Sequence, residues 1–132
     1  NNTKAIVTRE KMRIEFNEEK KVITISTPGK NTVEISDDDK HIKLTDQNKN
    51  EIVMNSSGIS LSSAKDITLK AKGAITIEAT SKINATAKQD VSLEGLNVKM
   101  EAKVSATVKG NAKAELSASG QTTVKGAMVM IN

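Results

Sequence analysis

The chain is 132 residues long, contains no Cys, Trp or Tyr, and has Phe16 as its single aromatic. Rings supply much of the buried area of an ordinary core, so a compact globule of the usual kind is not expected, and the lack of cysteine excludes disulfides and thiolate metal sites. A net charge of +4 from 20 basic and 16 acidic residues, with arginine only at Arg9 and Arg13, lacks the clustered arginines and stacking aromatics of a nucleic-acid binder; no apolar run approaches the roughly 20 residues of a membrane helix.

The first element in chain order is "MRIEFN", where Met12, Ile14 and Phe16 alternate with polar residues as in a half-buried strand. "VITIST" and "TVEIS" (Ile23/Ile25 and Val33/Ile35) flank "PGKN", which holds the single proline of the chain and is a strong turn signal. "HIKLTD" and "NEIVMN" (Ile42/Leu44 and Ile52/Met54) flank "DQNKN", again a turn by composition. Residues 1–55 therefore read as a hairpin-like or meandering set of strands, and "ISLSS" (Ile59, Leu61) fits the start of a second regime over residues 56–132.

That second regime is a repeat of apolar–x–apolar–x–small. Its copies are Ile67/Leu69/Ala71, Ile75/Ile77/Ala79, Ile83/Ala85/Ala87 and Val91/Leu93/Gly95, then Val98/Met100/Ala102, Ala106/Val108/Gly110, Ala114/Leu116/Ala118 and Thr122/Val124/Gly126. The step is eight residues except for one of seven between Gly95 and Ala102, and the third position is Ala or Gly in all eight copies. Thr, Lys and Glu stand between the apolar positions, as on strands with one wet face. The short step moves the inward residues from odd to even numbers, which predicts a bulge or tight corner near Leu96 and Asn97. Gln89 falls at inward parity, where a corner is the favoured place and an axial water or ion site the other.

Eight residues make one strand and a corner, which is one side of a coil. A single-chain β-helix needs several strands per coil, and one side alone would leave open strand edges. Three identical chains, each giving one side per layer, close a prism and largely remove the edges. The expected fold is thus all-β, a homotrimeric intertwined triple-stranded β-helix built from octads. Its core would be Ile67, Leu69, Ile75, Ile77, Val91, Leu93, Val98, Met100, Val108, Leu116 and Val124, and its narrow axis accounts for the missing rings.

The octads, together with "DQNKNEI" and the terminal "GAMVMIN", resemble the C-terminal β-helical spike of VgrG proteins of type VI secretion and related spikes of contractile phage tails. "NNTKAIVTREKMRIEF" resembles the segment that follows the family's oligonucleotide/oligosaccharide-binding domain. The resemblance implies a homotrimeric needle, driven through a target membrane, that carries a PAAR-repeat protein or an effector on its blunt end and meets a tube protein through preceding domains. It also implies assembly in the bacterial cytoplasm followed by translocation into the target envelope. The chain does not begin with Met, and those preceding domains are expected to be missing from it. The histidine-ligated iron apex of some phage spikes has no counterpart here, since His41 is the only histidine and lies far from the end.

No catalytic residue, metal ligand or cofactor is expected. "DDDK" (Asp37 to Lys40) lacks the spaced ligands and glycine of a calcium loop, and His41 beside it has no evident partner ligand. No nucleophile–histidine–acid order stands out. The terminal "KGAMVMIN" is the candidate interaction site. Parity turns Met128 and Met130 inward, while Val129 and Ile131, next to Asn132, break the otherwise polar outward row at the end of the chain. Trebled by symmetry, such a patch marks a docking surface. The alternative, a trimeric adhesin or fibre stalk with receptor-binding sides, would need exposed aromatics or a polar cluster along those sides.

Overall fold

In a computed structural model that describes residues 1–132, the chain opens with seven strands of five residues: β1 Thr3–Val7, β2 Arg13–Asn17, β3 Val22–Ser26, β4 Thr32–Ser36, β5 His41–Thr45, β6 Glu51–Asn55 and β7 Gly58–Ser62. They form one antiparallel sheet in sequence order. β1 is a full strand paired with β2, although its sequence alternates poorly. Ile59 and Leu61 stand in β7, paired with β6, so the first residues on the octad spacing still belong to the sheet.

Register explains the hydrophobic alternation. One row of directly opposed residues runs Ile6, Ile14, Ile25, Val33, Leu44, Ile52, Leu61 across all seven strands. The parallel row runs Lys4, Phe16, Ile23, Ile35, Ile42, Met54, Ile59. Side chains two apart along a strand share a face, so both rows lie on one side, and the other side is mostly polar, with Val7, Val22 and Val53 among its few apolar residues. Nothing in the chain covers the apolar side: no hydrophobic residue is buried, and the single buried residue is Ser36 on the polar face.

The turns repeat with the strands. Thr8, Thr27 and Asp46 each donate N–H to the carbonyl four residues on, and their own carbonyls accept from Lys11, Lys30 and Lys49. Those three lysines, and Lys21 and Lys40 in the alternate turns, have φ between 53° and 68°. A left-handed residue closes each of these five turns, a place where glycine or asparagine is the commoner choice. Equivalent turn residues recur at intervals of nineteen (8, 27 and 46), so the sheet is a repeat of strand–turn–strand–turn units.

After Ser62 the chain has no hydrogen-bonded strand partner within itself. It bends at Ala64–Lys65, Lys72–Gly73, Thr80–Ser81, Lys88–Gln89, Leu96, Lys103–Val104, Asn111–Ala112, Ser119–Gly120 and Ala127–Met128. Each unbent stretch between successive bends is six residues long, from 66–71 to 121–126, and the small third residue of every repeat immediately precedes a bend. The seven-residue step is a corner shortened to the one residue Leu96, so the faces of the later segments are kept although their numbering changes parity. Gln89 lies in a bend. Ion pairs Lys99–Glu101 and Lys113–Glu115 join residues two apart, as on the outward face of an extended segment. By contact the chain divides into Asn1–Ile77 and Glu78–Asn132.

Candidate functional site

The C-terminal segment begins with a corner of the same kind as the other octads, at Ala127–Met128, and four residues follow it. Met128, Val129, Met130 and Ile131 are all exposed, Ile131 at 93% and Val129 least at 50%. A Cβ on Gly126 would lie 3.1 Å from the Met128 carbonyl oxygen, so glycine eases the chain into this last bend. The octad positions expected to form a core are open as well: Leu69, Ile77, Leu93, Met100, Val108 and Leu116 are each at least 70% exposed in the single chain.

The chain exposes 13189 Å². A folded monomer of its mass exposes about 6,700 Å². Roughly 6,500 Å² per chain is therefore in excess of what a self-contained fold leaves open, beyond the range of most obligate interfaces. Both the sheet's apolar side and the octads require neighbours.

Two polar arrangements lie in the sheet. At the β5–β6 turn, Asp46 Oδ1 accepts from the backbone N–H groups of Asn48 and Asn50, each at 2.8 Å, and Oδ2 accepts from the Asn50 side-chain amide at 2.8 Å. These bonds, the Asn50 backbone foremost and its side chain next, hold the Asp46 carboxyl below the usual carboxylate range against the opposing effect of desolvation. The Asn50 Oδ1 in turn accepts from Ser63 Oγ at 2.8 Å and Ala64 N–H at 3.3 Å. "DQNKN" thus does more than turn the chain: it fastens the point at which the chain leaves the sheet.

The second arrangement was not legible as such in the sequence. His41 has a partner after all: its Nε2 lies 2.6 Å from Glu34 Oε1. Asp39, Glu34 and His41 bring one potential ligand atom each within 4.8 Å of one another. Glu34 and His41 are diagonal neighbours across β4 and β5, a relation fixed by the pairing of Ser36 with His41 and Glu34 with Lys43. Nothing short of the register could have shown it.

The chain matches the family of the phage baseplate V C-terminal trimerisation domain over residues 22–132. The chain belongs to this family. No curated protein matches it. Membership supplies the neighbours that the exposed surface demands: the assembly is a homotrimer, and the domain has a structural role in a baseplate or spike. The match starts at the first residue of β3, yet β1 and β2 continue the same sheet in the same register upstream of it. No helix is long and apolar enough to cross a membrane.

Proposed function

We propose that this trimerisation domain is the shaft of a membrane-puncturing spike in a contractile injection machine of the VgrG type. In this reading the octads of three chains intertwine as a triple-stranded β-helix, and the C-terminal end docks a PAAR-repeat cap or an effector. The observation that carries it is the run of six-residue unbent segments with a small residue before every corner and no partner within the chain. Unsatisfied backbone donors and acceptors on such segments need other strands, and equal segments from three symmetric copies supply them at every level. The thin axis that results accepts Leu, Ile, Val and Met and has no room for the missing rings.

Val129 and Ile131, just past the corner at Ala127–Met128, are both exposed, and three copies would present one apolar patch of the kind that recruits a partner. Preceding domains would join the shaft to a tube protein. Assembly in the bacterial cytoplasm and delivery into the target envelope belong to the same proposal.

Truncation after Gly126, or Met128→Asp combined with Ile131→Asp, is expected to abolish binding of a PAAR-repeat partner in a pull-down while light scattering still reports a trimer. Equal binding by the truncated trimer sinks the docking proposal; a monomeric wild type sinks the spike itself.

A further inference from the structure

We propose that Glu34, Asp39 and His41 form a binding site for a divalent first-row transition cation, one per chain, on the polar side of the sheet. The donor set is one imidazole nitrogen and two carboxylate oxygens, all within 4.8 Å of one another, close enough to converge on a single ion with little side-chain movement. Three protein donors leave room for a water to complete a tetrahedral shell, and imidazole with carboxylate suits zinc and its neighbours better than calcium.

The local charge balance points the same way. Lys43 stands directly opposite Glu34 across β4 and β5 and would be its natural cation. Its Nζ instead pairs with Glu51 at 3.3 Å. Glu34 is left with the His41 ring, and Asp39 has no ion-pair partner. Two carboxylates are thus gathered around an imidazole, and neither is ion-paired to a lysine or arginine.

Nor does the turn itself require these residues. The β2–β3 hairpin lies nineteen positions earlier in the repeat, with the same strand pairing and the same left-handed closing lysine. There Glu15 is paired with Arg13, and Lys20 and Val22 occupy the positions of Asp39 and His41. The turn forms equally well without a donor set. The scaffold around the site is also firm: Asp39 N–H donates to Ser36 Oγ at 2.9 Å, and Ser36 is 4% exposed. Because the apolar rows occupy the opposite side of the sheet, burying those rows in a trimer does not of itself cover the three sites.

The test is titration of Zn²⁺, and of Co²⁺ for its visible absorption, into the assembled trimer prepared without a histidine tag. Saturable uptake of one ion per chain is expected, with a tetrahedral cobalt spectrum. His41→Asn and Glu34→Gln should each weaken it by about tenfold or more, in line with the effect of disturbing a metal site's ligand shell, with light scattering and circular dichroism confirming that both variants remain folded trimers. Uptake that does not saturate, or that both folded variants retain, means an adventitious ion only and overturns the proposal. Displacement of zinc by equimolar Ca²⁺ overturns the role given to the imidazole.

Discussion

The sheet of β1–β7 and the octads that follow solve the same problem to different depths. Both carry an apolar row that the chain itself does not cover. The sheet nevertheless satisfies its own backbone, because each strand pairs with the next through a short turn. The octads turn too, but each corner leads to a segment with no partner in the same chain. A local hairpin closes its hydrogen bonds cheaply, whereas pairing between chains must wait for assembly. The sheet therefore needs other copies only for its core. In the proposed shaft the octads need them for core and backbone alike.

The strongest way to break this contrast is to put a charge into each apolar row. Leu93→Asp places three carboxylates at one level of the proposed shaft, and an unpaired buried charge costs about 3–5 kcal/mol per site. Loss of the trimer is expected in light scattering, together with loss of octad amide protection in hydrogen exchange. Ile35→Asp in the sheet should also weaken the trimer. Its antiparallel pairing is intrachain, so residual protection confined to β2–β6 should survive dissociation. Complete and simultaneous loss of protection in both variants would show that sheet and octads form one cooperative unit and that the contrast is wrong.

A smaller effect tests the corners. A Cβ on Gly110 would collide with the backbone carbonyl of Lys113, whereas one on Gly120 meets nothing within 4 Å in its own chain. Neither glycine has a positive φ, so close approach and not backbone handedness decides the outcome. Gly110→Ala is expected to cost roughly 1–3 kcal/mol per chain as overpacking does, read as a lower melting temperature. Gly120→Ala should be neutral, or gain up to about 1 kcal/mol by restricting the unfolded chain. A loss at Gly120 as large as at Gly110 would mean that partner chains fill that corner.

How much of this was legible in the sequence follows from what each feature depends on. The octads were legible down to the shortened corner at Leu96, because spacing and the small residue before each bend are properties of the linear chain. The turns at "PGKN" and "DQNKN" were legible from composition. The left-handed conformation of the turn lysines was not, since lysine carries no preference for it, although the recurrence of lysine at 11, 30 and 49 and at 21 and 40 was a signal from which the nineteen-residue repeat could have been read. β1 escaped notice because "TKAIV" alternates weakly and is recognisable only by its pairing with β2. The meeting of Glu34 with His41 depends on register between two strands, and the fastening of Asn50 to Ser63 and Ala64 spans thirteen and fourteen residues. Both are tertiary facts. Met128 to Ile131 were legible as an apolar run, and the structure adds the corner at Ala127–Met128 that opens it.

The mildest prediction concerns the junction between the two regions. Asp46 bonds to the Asn48 and Asn50 amides, and Asn50 reaches on to Ser63 and Ala64 where the octads begin. The folded state lowers the Asp46 pKa below its ordinary 3.8. The unfolded chain therefore binds this proton more readily than the folded one, so the stabilisation is fully present above the unfolded value and fades as pH falls through the folded one. The melting temperature of Asp46→Ala should lie below that of the wild type by a constant margin from neutral pH to about pH 5. That margin should narrow as pH drops below 3.8. Asn50→Ala should lower the melting temperature too, and exchange at the Ala64 amide should quicken before exchange within β5 does. A margin that persists unchanged into strong acid would mean that the Asp46 side chain acts there by packing alone, and that its charge has no part in fastening sheet to octads.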